Sequence, residues 1–441
     1  MKDLGLMEFK GFSGYIRSQD DNAPILFRLR IDSRGELEFD LDPVPRTAVT
    51  GFINERWDGE GHRLGFFELT GKADDGTEFR TEDLQFNSCM SGWSNELGHY
   101  HRLGGSCLRG VFHIKLRCPV PKPTVRMRLK GFRNSGTLTT QCALGTVEMA
   151  GSASDDDTDV LTGFITVHAY DSDVDISKWQ TDADQLLDHA KRVMSFASAA
   201  ILRAPIVEYF ERDRLRLVTL TQTRQSPSFF RVFHYLHQQP IFDAAVTSYF
   251  KRQFDVRNLF FAIEWFAMEA THHEVNLVNA MTALENLVAS NLDGNDSSIM
   301  SKSEFQKTRR TLRGVINKCI SRWSVGDASI VAEVVDELDE RLADLNRRSL
   351  LRKITCLAER WAVPLAGIGE ERIRKAKQAR DRIVHRGHYY ESDAGRTDEL
   401  WEHVTVVREL VVRFVLTAIG YRGPYYSFIG GWHEVQFPPA E

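Results

Sequence analysis

The hydrophobic pattern changes period once, near residue 176, and that change constrains the fold more than any single motif. Before it, runs such as Pro24 to Ile31 and Thr124 to Leu129 alternate polar and apolar side chains, the period-two signature of strands with one buried face. Gly, Asp and Asn separate these runs, and Asp58-Gly59 and Asp75-Gly76 read as hairpin turns. After it, Leu186, Leu187, Ala190, Val193, Met194 and Ala197 recur at helical spacing. Further helices are predicted over 241–253, 256–271, 274–290, 303–322, 328–346, 349–362, 370–386 and 397–419. The expected fold class is therefore α+β and multidomain. A β-rich N-terminal domain, sandwich or barrel-like, occupies 1–175, a connecting helical region 176–254, and an all-α helical bundle 255–441.

Charge follows the same division. Residues 1–175 carry 20 basic and 27 acidic side chains, net −7, whereas 176–441 carry 36 and 34, net +2. The whole-chain value of −5 argues against a protein that coats nucleic acid generally. The acidic stretch 152–159 reads as an exposed loop. Six cysteines with no Cys-x-x-Cys pair are too sparse for a disulfide scaffold and predict reduced thiols. The opening MKDLGLMEFK lacks the apolar core of a secretory signal, and no uncharged apolar run of about 18 residues predicts a membrane span. A cytoplasmic protein is expected.

Most motifs for cofactors and metals fail on spacing. GFFELTGKA, Gly65 to Ala73, has five residues between its glycines and Ala73 where a phosphate loop needs Ser or Thr for magnesium. His272-His273-Glu274 lacks the i, i+4 histidine pair of a helical zinc site. Cys89, His99, His101 and Cys107 match no common zinc spacing and read as scattered loop residues. Gly-x-Ser-x-Gly is absent. Neither a cofactor nor a metal is expected.

One segment carries a specific signal: IGEERIRKAKQARDRIVHRGHYY, Ile368 to Tyr390. Ile373, Ala376, Ala379, Ile383 and Val384 form its apolar stripe, Glu370 and Glu371 suit the first turn, and Gly387 reads as the residue past the helix end. Over 368–388, seven Lys/Arg face three Asp/Glu. Metal-free RNA cleavage needs a base for the 2′-hydroxyl proton, a cation for the phosphorane and an acid for the leaving 5′-oxygen. His385 suits the proton transfers and Arg380 the phosphate oxygens, while Asp381 can orient His385. The plain alternative is that Asp381 and His385, four apart, form a surface pair and helix cap. At roughly 100° per residue, Arg380 and His385 lie about 140° apart on one helix, so two helices facing across a twofold axis present them better than one.

With ARDRIVHRG and the earlier helix NAMTALENLVAS at 279–290, the chain resembles the HEPN superfamily (higher eukaryotes and prokaryotes nucleotide-binding), and is similar to its ApeA-like branch of bacterial anti-phage proteins. Arg380, Asp381 and His385 match the family's Arg, polar residue, then His, with Asp at a position where Asn is commoner. The resemblance spans about 270–420; for 1–175 it is architectural only. It implies a HEPN-type bundle and a homodimer formed through it. It further implies metal-independent endoribonuclease activity with Arg380 and His385 catalytic, and a defence or toxin role. Lys377, Arg382 and Arg386 are expected to contact the RNA backbone. The segment 301–322, with seven Lys/Arg against one Glu, is either a second RNA-tracking surface or a solvated helix face. Glu285 either lines the same groove or serves the helix structurally. The N-terminal domain is expected to sense an unknown trigger. The alternative function is a non-catalytic module that binds nucleotide, RNA or protein.

Overall fold

The alternating segments of the N-terminal half pair into an antiparallel sheet. In chain order its strands are β1 (Lys10–Arg17), β2 (Asn22–Ile31), β3 (Leu37–Leu41), β4 (Val44–Pro45), β5 (Phe67–Lys72), β6 (Glu78–Ser94) and β7 (Gly98–Cys107). They continue with β8 (Arg109–Lys115), β9 (Thr124–Lys130), β10 (Thr137–Cys142), β11 (Gly145–Gly151), β12 (Leu161–His168), β13 (Arg203–Glu211) and β14 (Arg214–Leu220). The computed structural model describes residues 6–17, 22–45, 66–152, 159–198, 200–221, 231–234, 236–251, 258–268, 270–320, 322, 328–390 and 397–439. The expected Asp58-Gly59 turn and most of the acidic stretch 152–159 lie outside those residues.

Strand neighbours run β10-β11-β12-β9-β13-β14-β8-β6-β5-β1-β2-β3, with β7 on β6 and β4 on β7. Among the described residues this path does not close, so the sheet is open where a barrel was one expectation. Along β2 the sequence alternation becomes burial: Ala23, Ile25, Phe27, Leu29 and Ile31 point into the core and their neighbours do not. Phe27 stacks on Phe12 at 5.3 Å between ring centroids, and Phe79 meets both rings edge-on. Gly71, part of the rejected phosphate-loop match, lies in β5, where a Cβ would come within 2.5 Å of the Phe27 ring.

Two units divide the chain, Met1–Lys251 and Arg252–Glu441, within three residues of the expected start of the helical bundle at 255 and not at the change of period near 176. The region expected to be a helical connector, 176–254, falls almost wholly in the first unit. It holds α1 (Ile176–Ser198) and α2 (Gln239–Phe250), but also β13 and β14, which join the sheet between β9 and β8. The physical reason is burial on both faces. From Ala204 to Tyr209 every residue of β13 is buried, Glu208 included, so the strand shows no alternation. Helix α1 packs against β9 and β12, and Trp179 donates its indole N–H to the Leu144 carbonyl at 2.9 Å. Within the sheet, buried Glu208 is held by Arg128 through two hydrogen bonds of 2.9 and 3.2 Å.

The second unit is helical: α3 (Leu259–Ala267), α4 (His273–Asn291), the single turn α5 (Gly294–Ser297), α6 (Lys302–Ile320), α7 (Ala328–Asp344), α8 (Leu350–Trp361), α9 (Gly369–Arg386) and α10 (Thr397–Ala418). A hairpin of β15 (Gly423–Ser427) and β16 (His433–Phe437) follows. Helix α10 is the central element, with every residue from His403 to Leu416 buried. One of its buried acids anchors a network. Glu409, fully buried, accepts from Arg413 Nε (2.8 Å), the Tyr425 hydroxyl (2.6 Å) and the Phe428 N–H (2.8 Å), which ties the hairpin to the helix. Helices α6 and α7 form an antiparallel pair in which Arg309 meets Asp339 at 2.7 Å. Ile320 is the one buried residue of α6. Among the described residues no helix is long and apolar enough to cross a membrane.

Candidate functional site

Helix α9 forms where its pattern places it. Ile373, Ala376, Ala379 and Ile383 are buried against the bundle, Glu370 and Glu371 sit in the first turn, and Gly387 adopts φ 81° at the C-terminal cap. Its N–H donates to the Ile383 carbonyl at 2.7 Å, closing the last turn. Val384 departs from the expected stripe: it is 52% exposed and faces away from the core. Helices α4 and α10 pack against α9.

That packing directs Arg380 inward. Its Nη2 donates to Glu285 Oε2 at 3.0 Å, joining α9 to α4 across 95 residues of sequence, and its Nη1 lies 3.3 Å from Asp381 Oδ1. Its Nε is buried with no acceptor among the described residues. Burial pushes the Glu285 carboxyl above its ordinary range and Asp381 adds to that push, while Arg380 and Lys377 pull it back. Lys377 pairs with the second Asp381 oxygen. Two cations and two carboxylates thus alternate as Lys377, Asp381, Arg380 and Glu285 along one partly buried edge of α9.

The expected site residues do not all converge. Asp381 is bonded to Lys377 and Arg380, and among the described residues no hydrogen bond joins it to His385. His385 is exposed on the last turn, on the far side of the helix from the Arg380–Glu285 contact. The guanidinium of Arg382 lies 5.7 Å from the Tyr389 ring centroid, and Arg386 is exposed. Lys377, assigned by sequence to an RNA backbone, is engaged within its own helix. Glu285 is the residue whose contact sequence reasoning left open. The only sequence sign was a carboxylate on the ALENL helix, and the pairing needs the two helices packed.

Elsewhere, the four candidate zinc residues do not assemble. His101 Nδ1 lies 3.0 Å from Ser91 Oγ and 3.5 Å from Cys89 Sγ, but Cys107 is buried at the base of the β6–β7 hairpin, where burial pushes its thiol up to about 12. Among the described residues no group of three or more His, Cys, Asp or Glu is placed to hold a metal ion. On α6, Lys302, Lys307 and Arg310 are exposed and form no ion pair among the described residues.

Comparison of the chain with protein-family models, curated proteins and solved structures finds no match.

Proposed function

We propose that this chain is a metal-independent endoribonuclease of HEPN type that cleaves RNA by 2′-hydroxyl attack at a cleft shared by two copies. The reading rests on one observation. Arg380 is partly buried and pre-oriented by Glu285, with a buried N–H that lacks an acceptor, while His385 stands exposed on the opposite flank of the same helix end. The Arg380 side chain keeps 24% of its surface open to a phosphate, and fixing it beforehand lowers the reorganisation needed at the transition state. Because the histidine points elsewhere, one chain cannot present both groups to one phosphate. Two α9 helices meeting through the face that carries exposed Val384 bring the Arg380 of each copy near the His385 of the other.

In such a cleft one His385, neutral, takes the 2′-hydroxyl proton as the oxygen attacks phosphorus. The other His385, protonated, gives a proton to the departing 5′-oxygen. The products are a 2′,3′-cyclic phosphate and a 5′-hydroxyl, with no net gain or loss of protons. Arg380 neutralises the equatorial oxygens. Asp381, bound to Lys377 and Arg380, serves this arrangement by fixing Arg380. The basic face of α6 supports the reading as a surface for the RNA backbone. A role in defence or as a toxin follows from the resemblance alone.

The test is cleavage of single-stranded RNA by the full chain with EDTA present, alongside its mass in solution. A dimer that cleaves, and His385→Ala and Arg380→Ala forms that do not, are the expected results. Wild-type rates in His385→Ala, or a cleaving monomer, overturn the assignment.

A further inference from the structure

The first unit is acidic as a whole, yet one face of its sheet brings Arg109, His113 and Arg216 to a groove of about 870 Å³. Strand register builds that face in two rows. The first runs Tyr15, Thr70, Arg80, Val111 across β1, β5, β6 and β8. The second runs Ser13, Lys72, Glu78, His113, Arg216, Tyr209 and extends onto β14 and β13. Helix α1 stands beside the second row. It receives the Tyr209 hydroxyl on Asp184 at 2.8 Å and lies within 3.5 Å of Arg216 through Gln180.

Most charges on this face cancel. Lys72 pairs with Glu78 at 3.0 Å, and Arg80 with Glu68 and Glu82 at 3.1 and 2.8 Å. Arg109 and Arg216 form no ion pair among the described residues, although Asp184 feels the Arg216 charge and Asp83, which accepts from the Arg109 N–H, also lines the groove. Arg216 is held flat over the Tyr209 ring, 3.8 Å from its centroid, which fixes its guanidinium at the groove wall. Arg109 and His113 are exposed on β8, four residues and so about 13 Å apart. At the other end of the groove Tyr15 leaves 49% of its surface open. The groove therefore offers two positive charges and an imidazole on β8 and β14 and an aromatic face on β1, with the Thr70 hydroxyl and the paired Lys72, Glu78 and Arg80 between.

We propose that this sheet face binds a short single-stranded oligonucleotide, with phosphates on Arg109, His113 and Arg216 and a base stacked on Tyr15. Paired cations and an aromatic platform on a sheet suit single strands, whose backbone is anionic and whose bases are unstacked and available. The three spacings from β1 to β8 span about 14 Å, which matches more than one nucleotide and exceeds what a lone phosphate needs. An acidic peptide would meet the same cations but would gain nothing from Tyr15. The assignment stands independently of the ribonuclease reading, since every group in it belongs to the first unit.

The experiment is fluorescence anisotropy with a labelled oligoribonucleotide of three residues, titrated into the full chain carrying His385→Ala so that no turnover intervenes. Arg109→Glu should weaken binding by about tenfold or more and flatten its salt dependence, and Tyr15→Ala should weaken it by about fivefold. Both residues are exposed, so neither change threatens folding, and a thermal melt checks it. Arg341→Glu, on α7 in the second unit and paired there with Glu337, should leave trinucleotide binding within about twofold of the parent. A trinucleotide that does not bind, or that binds Arg109→Glu and Tyr15→Ala as well as the parent, overturns the proposal. So does a labelled poly-glutamate peptide that binds more tightly than the trinucleotide and ignores Tyr15→Ala.

Discussion

Arg380 and Glu285 form an ion pair at 3.0 Å between α9 and α4, with Asp381 and Lys377 continuing the chain of charges along α9. The pair decides which way the arginine points, while helix geometry sets His385 about 140° away. In the proposed cleft, Glu285 is a positioning residue: it acts through Arg380 and not on the RNA. Glu285→Gln keeps an acceptor for the guanidinium, so cleavage should stay within about threefold of wild type. Glu285→Ala leaves Arg380 unguided and should lower kcat by about tenfold to a hundredfold, with a smaller effect on KM. Equal activity in Glu285→Ala and wild type contradicts the positioning role.

The same carboxylate makes a statement about pH. Burial holds Glu285 above its ordinary value of 4.5 in the folded protein, more than Arg380 and Lys377 pull it down. An acid raised on folding contributes stability that is present below its unfolded value and is lost as pH rises through the folded one. Wild type should therefore lose stability relative to Glu285→Gln between pH 4.5 and neutrality. Denaturant unfolding across that range reads the difference, and a gap that does not change with pH, or that widens in favour of the wild type, counts against it.

Glu409 predicts a stability effect in the second unit. It is fully buried and accepts from Arg413, Tyr425 and Phe428. Glu409→Ala strands the Arg413 charge in the core and should cost about 3–5 kcal/mol. Tyr425→Phe removes one hydrogen bond and should cost about 1 kcal/mol. Thermal or urea unfolding ranks the two, and a Glu409→Ala protein as stable as wild type contradicts the network.

Thiol reactivity tests the packing of the first unit. Cys107 is buried and its thiol lies at about 12, whereas Cys118 is exposed on the same unit. Alkylation of native protein near neutral pH should label Cys118 first and leave Cys107 until unfolding. Equal early labelling of both would mean that the base of the β6–β7 hairpin is open.

Helix spans were readable wherever an amphipathic stripe met a capping residue. The pattern places a helix over 370–386 and the structure forms Gly369–Arg386, with Gly387 as its stop. β2 was readable for the matching reason, a single buried face. β13 was not, because a strand covered on both sides loses its alternation; β14 keeps the alternation Arg-Leu-Arg-Leu but lies in a stretch read as helical. In the site, the residue types on α9 were legible from the sequence. The Glu285 contact was not, since it depends on how α4 and α9 pack. Nor was the partnership of Asp381 with Lys377: spacing allowed an i, i+4 bond from Asp381 in either direction, and the structure forms the one toward the N-terminus. Val384 shows the same limit, an apolar residue at stripe spacing that falls on the open side.

The central claim is that His385 and Arg380 carry out 2′-hydroxyl attack without metal. Its most direct test is end-group analysis of RNA cleaved by the full chain with EDTA present. The account predicts 2′,3′-cyclic phosphate and 5′-hydroxyl termini, which disappear in His385→Ala. Fragments ending in 5′-phosphate, or the same termini at the same rate from His385→Ala, would contradict it.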